Sequence, residues 1–173
     1  MLDGAARIES LAQEVAKSGD GAIAMTDHGN VFGAFDFYKT MKKNGVKPII
    51  GIEAYVAPES RFDKKRVKWA EGGEDDVSAG GAYTHMTILA ENNVGLSNLF
   101  RLSSLASLEG FYYKPRIDQE LLSKYSQGLI ATTGCPGGEI QTRIRMGAYN
   151  DARAAAAAYR DIFGAENYFV EIM

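Results

Sequence analysis

The sequence predicts an α/β domain in which parallel strands alternate with crossover helices. Three observations carry that expectation. From Ala5 to Val56 the apolar pattern runs helix, strand, helix, strand, the order of βαβ units. Gly21-Ala22-Ile23-Ala24-Met25 reads as a strand buried on both faces, and the strand Gly128 to Thr133 repeats its layout, each ending in a glycine turn that opens a helix. The 173 residues, 46% hydrophobic and 24% charged, are enough for one domain with a sizeable core.

Composition narrows the function classes. The net charge of -3 provides no overall basic footprint, so a nucleic acid would have to be gripped at a local site. A single cysteine excludes an internal disulfide, and the first residues lack the pattern of a signal peptide. No apolar run approaches the roughly 20 residues of a membrane span. The expectation is a cytoplasmic chain with no membrane partner.

The first helix is expected from about Ala5 to Lys17, with Ile8, Leu11, Ala12 and Val15 on one face and a stop near Gly19. The strand Ala22 to Thr26 follows and ends in Thr26-Asp27-His28-Gly29, where Gly29 permits a sharp turn and Asn30 can cap the next helix. Val31, Ala34, Phe35, Tyr38 and Met41 form the second helical stripe, closed by Lys42, Lys43 and Gly45. Lys47 to Val56 reads as a buried strand containing one carboxylate, Glu53.

From Pro58 to Gly81 the periodicity dissolves into charge, glycine and serine around Trp69. Such a stretch is either functional or a solvated excursion. A strand returns at Tyr83 to Ala90, followed by a helix from Asn93 to Ser107 with Leu96, Leu99, Phe100, Ser103 and Ala106 on one face. Glu109 to Asp118 is a loop dense in aromatics and cations, and Asp118 caps a short helix to Tyr125. The strand Gly128 to Thr133 leads through Gly134-Cys135-Pro136-Gly137-Gly138 into a helix from Glu139 to Met146. Asn150 is placed to cap an alanine-rich helix through Phe163, with Ala152, Ala155, Tyr159 and Ile162 inward, before a last strand at Tyr168 to Ile172. A first helix with no strand before it and a last strand with nothing after it suggest a domain incomplete at both ends.

Asp3, His28, Glu53, His85 and Cys135 are the metal-capable residues at strand ends and turns. A mixed oxygen, imidazole and thiolate set suits zinc, manganese or iron better than calcium. Each also has an ordinary structural role: Asp3 as a helix cap, Glu53 as the partner of a Lys or Arg, Cys135 as a small hydrophobe, the histidines as hydrogen-bonded edge residues. In an all-parallel arrangement His85 lies at the wrong end of its strand, unless that strand starts well before Tyr83 or runs irregularly. Asp27 is expected to orient the His28 imidazole. Lys114 and Arg116 can meet phosphate or form a solvated basic turn.

Thr26-Asp27-His28-Gly29-Asn30-Val31-Phe32-Gly33-Ala34, Gly51-Ile52-Glu53-Ala54-Tyr55, Thr84-His85-Met86-Thr87-Ile88-Leu89-Ala90 and Gly110-Phe111-Tyr112-Tyr113-Lys114-Pro115-Arg116-Ile117-Asp118 resemble the polymerase and histidinol phosphatase (PHP) domain of bacterial replicative DNA polymerases of the C family. The resemblance runs over essentially the whole chain. Its first motif is shared by the wider PHP superfamily, whereas Phe111 to Asp118 with Leu102-Ser103-Ser104-Leu105-Ala106 is specific to the replicative polymerases.

The resemblance implies a distorted, TIM-like (β/α)7 barrel with up to three metal ions, zinc or manganese, at one rim. It puts Asp3, His28, Glu53, His85 and Cys135 on ligand positions, His85 included. The implied activity is 3'-5' exonuclease proofreading by metal-assisted phosphodiester hydrolysis; in some members the ligands have decayed and the domain supports the polymerase structurally. The implied partners are the primer 3' end of DNA, the remaining polymerase domains and replisome subunits such as the sliding clamp. The family's opening His-x-His and closing Asp-x-His are absent, as is the polymerase palm. Residues 1–173 are thus expected to be a single PHP domain fragment of a DNA-directed DNA polymerase, inactive alone. The alternatives are a free-standing PHP phosphoesterase such as histidinol phosphatase, against which the aromatic loop argues, and a non-catalytic scaffold, which intact ligand positions disfavour.

Overall fold

A computed structural model describes residues 3–69 and 77–172, with only the backbone of Asp3. After a 3-10 turn at Asp3–Ala5, helix α1 (Ile8–Ser18) buries Ala12 and Val15 and ends at Gly19 in the left-handed conformation. Strand β1 (Ala22–His28) then pairs in parallel with β2 (Lys47–Val56), the two being joined by α2 (Ala34–Lys43). This much is the expected crossover unit.

The all-parallel expectation fails at β3 (Thr84–Ala90), which runs antiparallel to β2. The reason is in the connection. Parallel neighbours need a crossover of a dozen residues or more, usually a helix. Among the described residues between β2 and β3 the only regular structure is a 3-10 turn at Ser78–Gly80. The chain therefore returns along the same sheet edge in the opposite sense.

Helix α3 (Asn93–Leu108) starts where the Asn92 side chain accepts from Val94 and Gly95 N–H. The two-residue strand β4 (Arg116–Ile117) pairs in parallel with the end of β2, and α4 (Gln119–Tyr125) is capped by Asp118, as expected. Strand β5 (Leu129–Thr132) is antiparallel to β3; α5 (Glu139–Arg145), α6 (Tyr149–Phe163) and β6 (Tyr168–Phe169) complete the order. The sheet runs β1-β2-β3-β5-β6 with β4 on β2, mixed in direction and open at its ends among the described residues. Asn150 falls inside the first turn of α6 rather than at its cap.

Alternation divides the sheet into two unlike faces. Ile52, Ala54, Val56, Met86, Ile88, Leu129 and Ala131 point to the helices and share one core with Phe37, Met41, Leu99, Leu102 and Tyr159. The other face carries Glu53, His85, Thr87 and Thr132, half-buried in each case. β1, the outermost strand, alternates in exposure instead of being buried on both faces.

Helix α2 also departs from expectation. It buries Phe37 and Met41, while Phe35 is 70% and Tyr38 50% exposed. Its aromatic-rich sequence offers two overlapping stripes, and the turn before the helix selects between them. Asn30 Oδ1 accepts from Phe32 N–H and Asp27 Oδ2 from Gly33 N–H, delaying the helix start to Ala34.

Candidate metal centre

Register brings the chemistry together. In the parallel pair β1 and β2, His28 stands opposite Glu53. In the antiparallel pair β2 and β3, His85 stands opposite Tyr55, two residues beyond Glu53 and on the same face. Because β3 runs backwards, its first residues lie at the carboxyl ends of β1 and β2. The turn after β5 reaches the same rim, where His85 N–H donates to Gly137 O at 3.0 Å and positions Cys135.

Glu53 Oε1 lies 3.0 Å from His85 Nδ1, which is 3.1 Å from Cys135 Sγ; sulfur and carboxylate are 3.8 Å apart. Four-coordinate zinc with bonds of about 2.0 to 2.3 Å separates its ligand atoms by about 3.3 to 3.6 Å. The triangle of oxygen, nitrogen and sulfur is close to that spacing, and its donor chemistry fits a zinc-like ion. His28 Nε2 stands 3.5 Å from Glu53 Oε2, so the carboxylate presents one oxygen to each histidine.

The electrostatics agree with a site built for charge. The hydrogen bond from His85 is the main cause holding the Glu53 carboxyl below its ordinary range, against the opposing effect of burial. Burial pulls the His85 imidazolium the other way, but Cys135 and Glu53 together outweigh it and raise its pKa to about 9. Gly137 leaves the ring its space: a Cβ there would fall 2.9 Å from His85 Nδ1.

The sequence matches the PHP domain family over residues 1–173. The chain belongs to the PHP domain family. It is 57% identical over 182 residues to the DNA polymerase III subunit alpha of Saccharopolyspora erythraea, covering 100% of this chain and 15% of that protein. It is 54% identical to the same subunit of Mycobacterium tuberculosis, again over 100% of the chain and 15% of the relative. Against the Thermus aquaticus subunit it is 50% identical over 99% of the chain and 13% of the relative. The PHP domain chain thus spans about one seventh of the length of the relatives it matches.

Of the residues singled out in this PHP domain, the structure gathers Glu53, His85 and Cys135, with His28 beside them. The Asp3 side chain lies outside the described residues. Asp27, adjacent to His28 on a strand, points to the other face, where its carboxylate receives the Gly33 N–H. Arg116 is corrected from a phosphate contact to a structural residue. It is 0% exposed, and its guanidinium donates to the carbonyls of Gly110, Ala82, Arg61 and Asp63. Lys114 stays at the surface, its ammonium 5.7 Å from the centre of the Tyr55 ring.

Three neighbours of the PHP centre escaped the sequence reading. Tyr55 OH is 3.3 Å from His28 Nδ1, Tyr83 stacks on His85 at 5.8 Å, and Ser78 Oγ lies 3.5 Å from His85 Nε2. The tyrosines were recoverable from strand alternation, each standing two residues from a candidate ligand. Ser78 carried no such signal.

Proposed function

We infer that this chain is part of the PHP domain of a bacterial DNA polymerase III alpha subunit, a DNA-directed DNA polymerase, and that the domain acts as a 3'-5' exonuclease. The observation that carries this reading is the donor triangle of Glu53, His85 and Cys135, with His28 on the second oxygen of Glu53. Glu53, His85 and Cys135, with His28 beside them, would hold a divalent ion, zinc or manganese, which would supply an acidified water and charge neutralisation at a phosphodiester.

The protein's own groups prepare that chemistry. Glu53 spans the two histidines, Tyr55 fixes the His28 ring through its hydroxyl, and the Cys135 turn closes the site from the β5 side. The half-buried sheet face supports the reading of a (β/α)7 barrel of which residues 1–173 form one incomplete domain. Asp3 and ligands beyond this chain complete a cluster of up to three ions in that reading, so the isolated chain is inactive. The primer 3' end of DNA is the substrate, and the remaining polymerase domains and replisome subunits such as the sliding clamp are the partners. The setting is cytoplasmic, and no described helix is long and apolar enough to cross a membrane.

The test is elemental mass spectrometry on the full polymerase, never exposed to chelator, beside His28→Ala and Cys135→Ser variants, followed by hydrolysis of mismatched primer ends. Two or three equivalents of metal, reduced in both variants together with hydrolysis, is the expected result. A polymerase without metal overturns the exonuclease reading in favour of a scaffold.

A further inference from the structure

The turn Tyr112-Tyr113-Lys114 combines a strained tip with a rigid base. Tyr113 has φ 61°, a conformation that a bulky residue adopts only when its surroundings enforce it, and its side chain is 53% exposed. Such strain persists where the surrounding structure over-determines it, and it clusters at functional sites. The base does not yield. Tyr112 N–H donates to Lys114 O at 3.0 Å, the buried Arg116 lies under the Tyr112 ring at 5.0 Å, and Pro115 packs beside Gly29 at the end of β1.

This turn connects directly to the metal centre. The Lys114 ammonium sits over the Tyr55 ring, whose hydroxyl meets His28. Among the described residues Lys114 has no carboxylate partner and no side-chain hydrogen bond. On the far side, Arg66 donates to Tyr113 OH at 3.2 Å and lies 5.3 Å from its ring centre. Exposed rings interleaved with cations are the surface that single strands recognise, bases stacking on rings and phosphates meeting the ammonium groups. An overall charge of -3 makes such a local grip necessary.

We propose that Lys114 holds the phosphate next to the scissile one and that Tyr113, braced by Arg66, stacks on the base behind it, forming a track that leads a single DNA strand to the metal centre. The proposal rests on the exonuclease reading and names the substrate contacts of that site.

The experiment uses the full polymerase and a single-stranded oligonucleotide with 5-iodouracil near its 3' end and a phosphorothioate last linkage. Ultraviolet cross-linking with peptide mass spectrometry should place the base on Tyr113. Tyr113→Gly should abolish that cross-link while the melting midpoint holds or rises, because glycine relieves the positive φ; Tyr113→Phe should retain it. Lys114→Gln should raise the oligonucleotide concentration that half-saturates the cross-link about ten-fold and flatten its log-log salt dependence by about 0.7, with metal content unchanged. A cross-link confined to other residues, or a Lys114→Gln protein with unaltered half-saturation and salt dependence, overturns the proposal. Metal content and hydrolysis by the unaltered protein report separately on the exonuclease reading. Cross-linking at Tyr113 in a protein without hydrolysis supports the track while overturning that reading.

Discussion

The imidazole of His85 and the sulfur of Cys135, 50 residues apart in sequence, meet at 3.1 Å. His85 reaches that position from the start of a strand and Cys135 from the turn after one, because β3 and β5 run in opposite directions. Metal binding to this pair should stabilise the fold, since the ion binds the folded site alone. Removal of metal by chelation is expected to lower stability by about 3 kcal/mol at ion concentrations near 100 times the dissociation constant. Calorimetric melts of the full polymerase with and without chelator check this, and His85→Ala should narrow the difference between the two melts.

Tyr55→Phe removes one hydroxyl and leaves the ring packed over Gly29. Groups that orient ligating imidazoles are worth about 10 to 100-fold in metal affinity. The expected result is weaker binding of the ion nearest His28, read by competition with a chromophoric chelator, with an unchanged urea midpoint once metal has been removed by chelation. Equal affinity in the variant would remove Tyr55 from the positioning role.

Gly29 has φ 71°, and a Cβ on it would lie 2.7 Å from the Tyr55 ring. Gly29→Ala combines backbone strain with overpacking and should cost about 2 to 5 kcal/mol in urea unfolding. The same variant should loosen the register of His28 against Glu53 and reduce bound metal.

Arg116→Met should destabilise by at least about 3 kcal/mol, because four backbone carbonyls lose their donor in a buried pocket. Arg116→Lys should not restore the loss, since one ammonium cannot span four acceptors. The salt dependence of DNA binding should remain that of the unaltered protein, in contrast to Lys114→Gln.

The existence of the elements was legible in the sequence because local periodicity and caps specify them, as at Gly19 and Asp118. The direction of β3 was legible only indirectly. The missing helical pattern between Pro58 and Gly81 already argued against a crossover, and with it the difficulty over His85 disappears. The inward face of α2 depended on a turn held by Asp27 and Asn30, which periodicity does not see. Arg116 was unreadable for a stronger reason. A charged residue belongs at the surface by default, and its pocket is lined by carbonyls from Arg61, Asp63, Ala82 and Gly110, brought together only by the fold.

The reversal of β3 has a consequence for how this architecture can vary. Since β2 leaves the sheet and β3 re-enters it at the metal-bearing rim, the described part of the intervening chain lies at that rim, anchored at its base where the Arg61 and Asp63 carbonyls accept from Arg116. Its contacts through Ser78 to His85 and Arg66 to Tyr113 shape the mouth of the site. The register of Glu53 against His28 and Thr87 is set within the sheet itself. Selection can therefore lengthen, shorten or recolour the mouth, and so change which substrates enter, while the ligand geometry is inherited intact.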